Sequence, residues 1–202
     1  MKIKLLFILA VVLISCQTSQ KEPNECCSTK QLKSTIESDN LPGTSLYHLT
    51  DVWKDQHNKP VQLQDYTGKN VIMTMFFTHC AYACPMLVSE IKAIESNLTE
   101  SQKSELIILL ISFDDKRDTP DRLKEYATTQ GLSTNWKLLH GNKNAIQTLS
   151  VALDISYDLL ENGQYAHSNR KVLLDKSGSI TFTQDGLGAA ALPMSEAIKK
   201  LY

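Results

Sequence analysis

An α/β domain with a central mixed sheet is predicted by three features of this sequence. Two near-continuous apolar runs occupy residues 71–77 and 106–113, an amphipathic helical stripe lies between them, and alternating segments follow at 171–174 and 179–184. Apolar runs of this kind suit strands covered on both faces. Joined through a helix, the first two become a parallel crossover, whereas the last two, separated by the turn Asp175 to Gly178, form an antiparallel hairpin.

The 202-residue chain starts with Met1-Lys2-Ile3-Lys4, followed by an uncharged apolar stretch to Ile14 and then Ser15-Cys16. A basic head and a short apolar body mark residues 1–15 as an export signal, too short for a spanning helix. Leu13-Ile14-Ser15-Cys16 also resembles a bacterial lipobox, which would make Cys16 the lipidated first residue of an anchored, exported protein facing the periplasm or the outer side of the cell membrane. Residues 16–40 then form a flexible tether, polar and short of apolar residues to bury. The adjacent Cys26 and Cys27 fall within it. Net charge is −1 and becomes −3 once Lys2 and Lys4 leave with the signal, which provides no electrostatic footprint for nucleic acid.

Residues 41–202 have the size of one domain. Residues 46–50 and 60–63 flank the polar stretch 54–59 and read as an N-terminal β-hairpin extension, with His48 and His57 on its surface. The strand at 71–77 leads to a cysteine loop, after which Leu87, Ile91, Ile94 and Leu98 form the buried stripe of a helix beginning at Pro85. The strand at 106–113 completes the crossover. Thr119 as N-cap, Pro120 at the first helical position and Gly131 beyond the end bracket a second helix, with Leu123 and Tyr126 inward. A short strand at 136–139, a third helix opened by Asn142 or Asn144, a turn at Asn162-Gly163, the hairpin and a final helix at 195–201 follow. This order matches a thioredoxin-like architecture, which does not by itself select a function.

The chemistry starts at Phe77-Thr78-His79-Cys80-Ala81-Tyr82-Ala83-Cys84-Pro85. A strand delivers Cys80 and Cys84 to a helix N-terminus, whose free N–H groups favour a thiolate. One helical turn also brings the two α carbons near disulfide distance. Two thiolates select soft ions such as Cu(I) and Zn(II) over calcium or magnesium. A nitrogen ligand is available in His167, which precedes the strand at 171–174, where a thioredoxin-like enzyme keeps a cis proline; no proline occurs here between Pro120 and Pro193. With Cys80 and Cys84, the His167 imidazole would complete a two-sulfur, one-nitrogen site for copper whose binding weakens on acidification, the alternative being a partly buried histidine hydrogen-bonded to backbone.

Thr78-x-Cys80-x-x-x-Cys84-Pro85, Asp115-Lys116-Arg117-Asp118-Thr119-Pro120 and His167-Ser168 with Leu173-Leu174-Asp175 together resemble the SCO/SenC family from about residue 46 to 201. The resemblance implies an exported copper chaperone that assists assembly of the dinuclear copper centre of cytochrome c oxidase, with Cys80, Cys84 and His167 as ligands of Cu(I) or Cu(II). Its implied partners are the copper-bearing oxidase subunit, a thiol reductant or upstream copper donor, and the membrane through the lipid anchor. Ala81 departs from the proline many members carry after the first cysteine, and His140 stands near a family threonine.

Several neighbours complete the reading. Strand alternation aims His79 away from the metal. Asp114, Asp115 and Asp118 follow the central strand, and of these Asp115 and Asp118 are the candidates to tune the site by hydrogen bonding around its ligands, with a solvated turn paired to Arg117 as the alternative. Tyr82 would shield the metal or present a docking surface, and Met86 fills a gap in the core. The competing function is a thiol-disulfide oxidoreductase in which Cys80 attacks and Cys84 resolves. A peroxidase would use Thr78 but leaves the second cysteine and His167 unexplained.

Overall fold

The computed structural model describes residues 41–202; the expected export signal, Cys16, and the expected tether with Cys26 and Cys27 lie outside the described residues. Nine strands and five α-helices follow in the described part: β1 (Trp53–Asp55), β2 (Pro60–Val61), β3 (Asn70–Phe76), α1 (Ala83–Ser96), α2 (Glu100–Glu105), β4 (Leu106–Ser112), α3 (Pro120–Thr129), β5 (Trp136–His140), α4 (Lys143–Ala152), β6 (Tyr157–Leu159), β7 (Tyr165–His167), β8 (Lys171–Leu174), β9 (Ile180–Gln184) and α5 (Ala191–Lys199). Seven strands form one sheet in the order β2-β1-β5-β4-β3-β8-β9, and β6 pairs with β7 in a separate two-stranded sheet.

The apolar runs set the centre. Every residue of β3 is buried, as are all but Ile107 in β4, and the two strands are parallel from Asn70↔Leu106 to Phe76↔Ser112. Strands so apolar need cover on both faces. Among the residues supplying it are Leu87, Ile91 and Ile94 of α1, Leu123 and Tyr126 of α3, Ile146 and Leu149 of α4, and Met194 and Ile198 of α5. β5 runs parallel to β4, and β8 runs antiparallel to β3, which makes the sheet mixed.

Topology then fixes where the site lies. β3 and β4 finish at one end of the sheet, and the antiparallel β8 starts at that same end, with Met73 opposite Val172. The segment before β8, which carries His167, is therefore brought to the loop that follows β3. At the opposite end, the Ser45 hydroxyl donates to the Ser177 carbonyl and Leu46 N–H to the Gly178 carbonyl, so residues 45–46 pack on the turn between β8 and β9, away from the cysteine loop.

Several boundaries differ from the sequence reading, among them the second hairpin strand, which is Pro60–Val61 only, because Leu63–Tyr66 form a 3-10 helix. Residues Leu46–His48 form a 3-10 helix capped by Ser45, and the first hairpin strand is β1 instead. The Ser45 hydroxyl accepts from Tyr47 N–H at 3.2 Å while His48 N–H donates to the Ser45 carbonyl and Leu49 N–H to that of Leu46, so these residues bond locally instead of to a neighbouring strand. Helix α1 starts at Ala83, before Pro85, and α5 at Ala191, before Pro193; each proline sits in a first turn, where no intrahelical N–H is required. Helix α2 has no buried residue and hence no apolar stripe to reveal it, although Thr99 and Gln102 form its capping box.

Candidate metal centre

The loop after β3 is tied down before it reaches the first cysteine. Thr78 N–H donates to Asp118 Oδ2 at 2.9 Å, the Thr78 hydroxyl to Asp118 Oδ1 at 2.5 Å, and the Ser112 hydroxyl to Asp118 Oδ2 at 2.6 Å. Asp118 is fully buried, and these three donors replace the water its carboxylate lost. Arg122 Nε donates to Thr78 Oγ1 at 3.1 Å, joining α3 to the same knot. The carboxylate thus links the ends of β3 and β4 to the start of α3.

Cys80 is half-buried and Cys84 is buried in the first turn of α1, where backbone N–H groups lack intrahelical partners. Cys84 N–H donates to Cys80 Sγ at 3.3 Å. The Cys84 thiol, together with the amides of Cys84, Tyr82 and Ala83, stabilises a Cys80 thiolate against the opposing effect of burial and holds its pKa at about 4. Cys84 moves the other way, because its proton is shared with Cys80 and its sulfur is desolvated. One sulfur is a half-buried thiolate nucleophile and the other a buried thiol.

His167 ends β7 and pairs in register with Tyr157 of β6. Its Nδ1 lies 3.1 Å from the Ser168 carbonyl, so Nδ1 is the donor and the neutral ring keeps its lone pair on Nε2. An aromatic layer supports the ring: Phe113 at 5.0 Å and Phe77 at 6.0 Å between centroids, with Tyr165 packed against both phenylalanines. The ligand atoms of Cys80, Cys84 and His167 all lie within 4.8 Å of one another. Ligand bonds of roughly 2.0–2.3 Å close such a separation with shifts below about 1 Å, and two thiolates with a neutral imidazole form a donor set for a soft ion.

His79, Asp114 and Asp118 also have atoms within 4.8 Å of one another. Their oxygens are already engaged: Asp118 as described, and Asp114 by the backbone and side chain of Arg117. His79 turns toward this group, with Nδ1 3.6 Å from Asp118 Oδ1. Asp115 lines an open pocket with Lys54, His140 and Lys143, while Tyr82 is 73% exposed and Met86 half-buried. Sequence reasoning missed Ser112, Arg122, Phe113 and Tyr165. For Ser112 a signal existed, since a lone hydroxyl inside a buried apolar strand must find a partner.

The sequence model of the SCO1/SenC family matches residues 47–202 of this chain. A protein of Stutzerimonas stutzeri, named for copper binding, is 30% identical over 130 residues that make up 62% of this chain and 63% of its own. The chain thus spans a little under two thirds of that relative's length. Among solved structures, Arabidopsis thaliana ScoI with copper bound superposes with a TM-score of 0.67 at 20% identity, covering 75% of this chain and 94% of that one. BsSco, described as having a disulfide switch and as a member of the Sco family of cytochrome c oxidase assembly proteins, superposes with a TM-score of 0.65 at 21% identity, covering 74% and 90%. At these identities the two structures establish the fold.

Proposed function

The chain belongs to the SCO1/SenC family, and from that premise we propose that it is a copper chaperone whose ligands are Cys80, Cys84 and His167. The observation that carries this reading is the convergence of the three donor atoms within 4.8 Å, from segments far apart in sequence. When bound, copper supplies a soft cation for exchange with another protein's thiolates and imidazoles. The chain's own residues prepare for it: Cys80 is held as a thiolate, Ser168 fixes the tautomer that frees His167 Nε2, and Asp118 anchors the cysteine loop. Cys84 must release its proton on loading, so uptake is coupled to pH. Titration of the reduced protein with Cu(I) tests the assignment: binding of about one equivalent is expected, weakened sharply by Cys80→Ala, Cys84→Ala and His167→Ala. Unchanged affinity in the His167 variant would remove that ligand.

The finer reading is an exported lipoprotein, anchored through Cys16, that serves assembly of the copper centre of cytochrome c oxidase. The sequence of residues 1–16 supports the anchor, and the description of BsSco supports the oxidase. Membrane release of a Cys16→Ala variant tests the anchor.

The Cys80 thiolate beside a buried Cys84 thiol also favours a second reading, a thiol-disulfide oxidoreductase. Cys80 attacks a substrate disulfide and displaces one sulfur as a thiolate, and Cys84 then cleaves the mixed disulfide, leaving the substrate reduced and Cys80–Cys84 oxidised. Turnover of oxidase-subunit disulfides by metal-free protein, with a thiol reductant, distinguishes it from copper delivery.

A further inference from the structure

The strand that bears His167 does not belong to the main sheet. β6 and β7 pair only with each other among the described strands, so something other than the main ladder must fix where the histidine stands relative to the cysteines. Aromatic packing supports the ring from beneath, but the hairpin's base is closed by polar contacts. Ser168 N–H donates to the Ser156 carbonyl at 2.9 Å, and Ser156 N–H returns to Ser168 Oγ at 3.1 Å.

Arg170, three residues after His167, spans the rest of that base. Its Nη1 donates to Asp154 Oδ2 at 2.5 Å, and its Nε and Nη2 donate to the two oxygens of Asp185 at 2.6 and 3.2 Å. Asp154 holds left-handed backbone, φ 52°, in the turn from α4 into β6, and Asp185 follows β9. The Arg170 carbonyl accepts from the buried Thr74 hydroxyl of β3 at 2.7 Å, and the next residue, Lys171, is fully buried against Glu90 of α1 at 2.8 Å. One guanidinium therefore joins the way into the histidine hairpin, the way out of it, and the edge of the main sheet. Its planar fork suits two carboxylates at once, which a lysine ammonium does not reproduce.

We propose that Arg170 is a positioning residue for the metal centre: by bridging Asp154 and Asp185 it sets where His167 meets the two sulfurs. This rests on the copper reading of His167, and the test separates the two. Both carboxylates are mostly exposed, Asp154 at 84% and Asp185 at 65%, so the bridge adds little to global stability and acts on the hairpin locally.

The experiment compares wild type, Arg170→Ala, Arg170→Lys and the Asp154→Asn/Asp185→Asn double variant as reduced full-length protein. Hydrogen exchange of the metal-free proteins is expected to quicken about tenfold across residues 157–167 in Arg170→Ala and in the double variant, while residues 172–174 and α1 keep wild-type protection. Cu(I) affinity is expected to fall about three- to tenfold, with a weakened nitrogen contribution in X-ray absorption and an intermediate value for Arg170→Lys. Unchanged hairpin exchange, or acceleration spread evenly over the whole domain, overturns the proposal. If wild type takes up no copper, the copper reading fails, and the exchange data still decide whether Arg170 positions the hairpin.

Discussion

Cys84 donates its backbone N–H to the sulfur of Cys80 across 3.3 Å, making the second cysteine a part of the electrostatic environment of the first. The four-residue spacing does this by placing Cys84 in the first turn of α1, where its amide is free of the helix ladder and its thiol faces Cys80.

Acid should therefore leave Cys80 reactive far below the ordinary thiol range. Its pKa is lowered from 9.0 to about 4, so the thiolate's contribution to stability is fully present above about 9, declines as pH falls and is lost below about 4. Iodoacetamide labelling of metal-free, reduced protein should hold steady from about pH 8 to about pH 5 and then fall, with Cys84 unlabelled. A rate that drops tenfold per unit from about pH 8 would show an unactivated thiol.

Asp118→Ala removes the acceptor for Thr78 N–H, Thr78 Oγ1 and Ser112 Oγ in a fully buried position. Three stranded donors make a loss of about 2–4 kcal/mol the expectation in urea unfolding, with copper affinity reduced because the cysteine loop loses its anchor. A change below about 0.5 kcal/mol would mean that water replaces the carboxylate.

Lys171→Met removes the ammonium from Glu90 Oε2 and leaves the carboxylate the Gly188 N–H as a donor to Oε1. Breaking one half of a buried pair should cost about 3–5 kcal/mol, and the Lys171→Met/Glu90→Gln double variant should recover most of it. Equal losses in the single and double variants would locate the effect in packing of the lysine stem.

Gly178 adopts φ +82°, and a Cβ there would lie 2.6 Å from Tyr47 Cδ2 and 2.7 Å from Ser45 Oγ. Gly178→Ala should destabilise the protein by about 2 kcal/mol or more through strain and overlap, yet leave copper affinity unchanged, since the contact is at the opposite end of the sheet. Thermal unfolding and a copper titration on the same sample check both halves.

What the sequence made legible follows from which forces are local. The apolar runs of β3 and β4, the Thr119-Pro120 helix start and the stripe of α1 each announce themselves within a few residues, and all three stand in the structure. Leu46–His48 carries a strand-like local pattern, yet its backbone closes as a 3-10 turn docked on the distant turn at Gly178. For the site, the cysteine loop and His167 were readable from spacing and order. The knot around Asp118 was not, since Thr78, Ser112 and Arg122 meet only after β3, β4 and α3 have assembled. Arg170 was hidden for the same reason: its two carboxylates are 16 and 15 residues away in the chain.

X-ray absorption at the copper edge, on reduced wild-type protein and on His167→Ala loaded side by side, tests the shared site most directly. Two sulfur neighbours and one nitrogen are expected in wild type, with the nitrogen lost in the variant. The same nitrogen signal in both proteins, or none in wild type, would contradict a centre built from Cys80, Cys84 and His167.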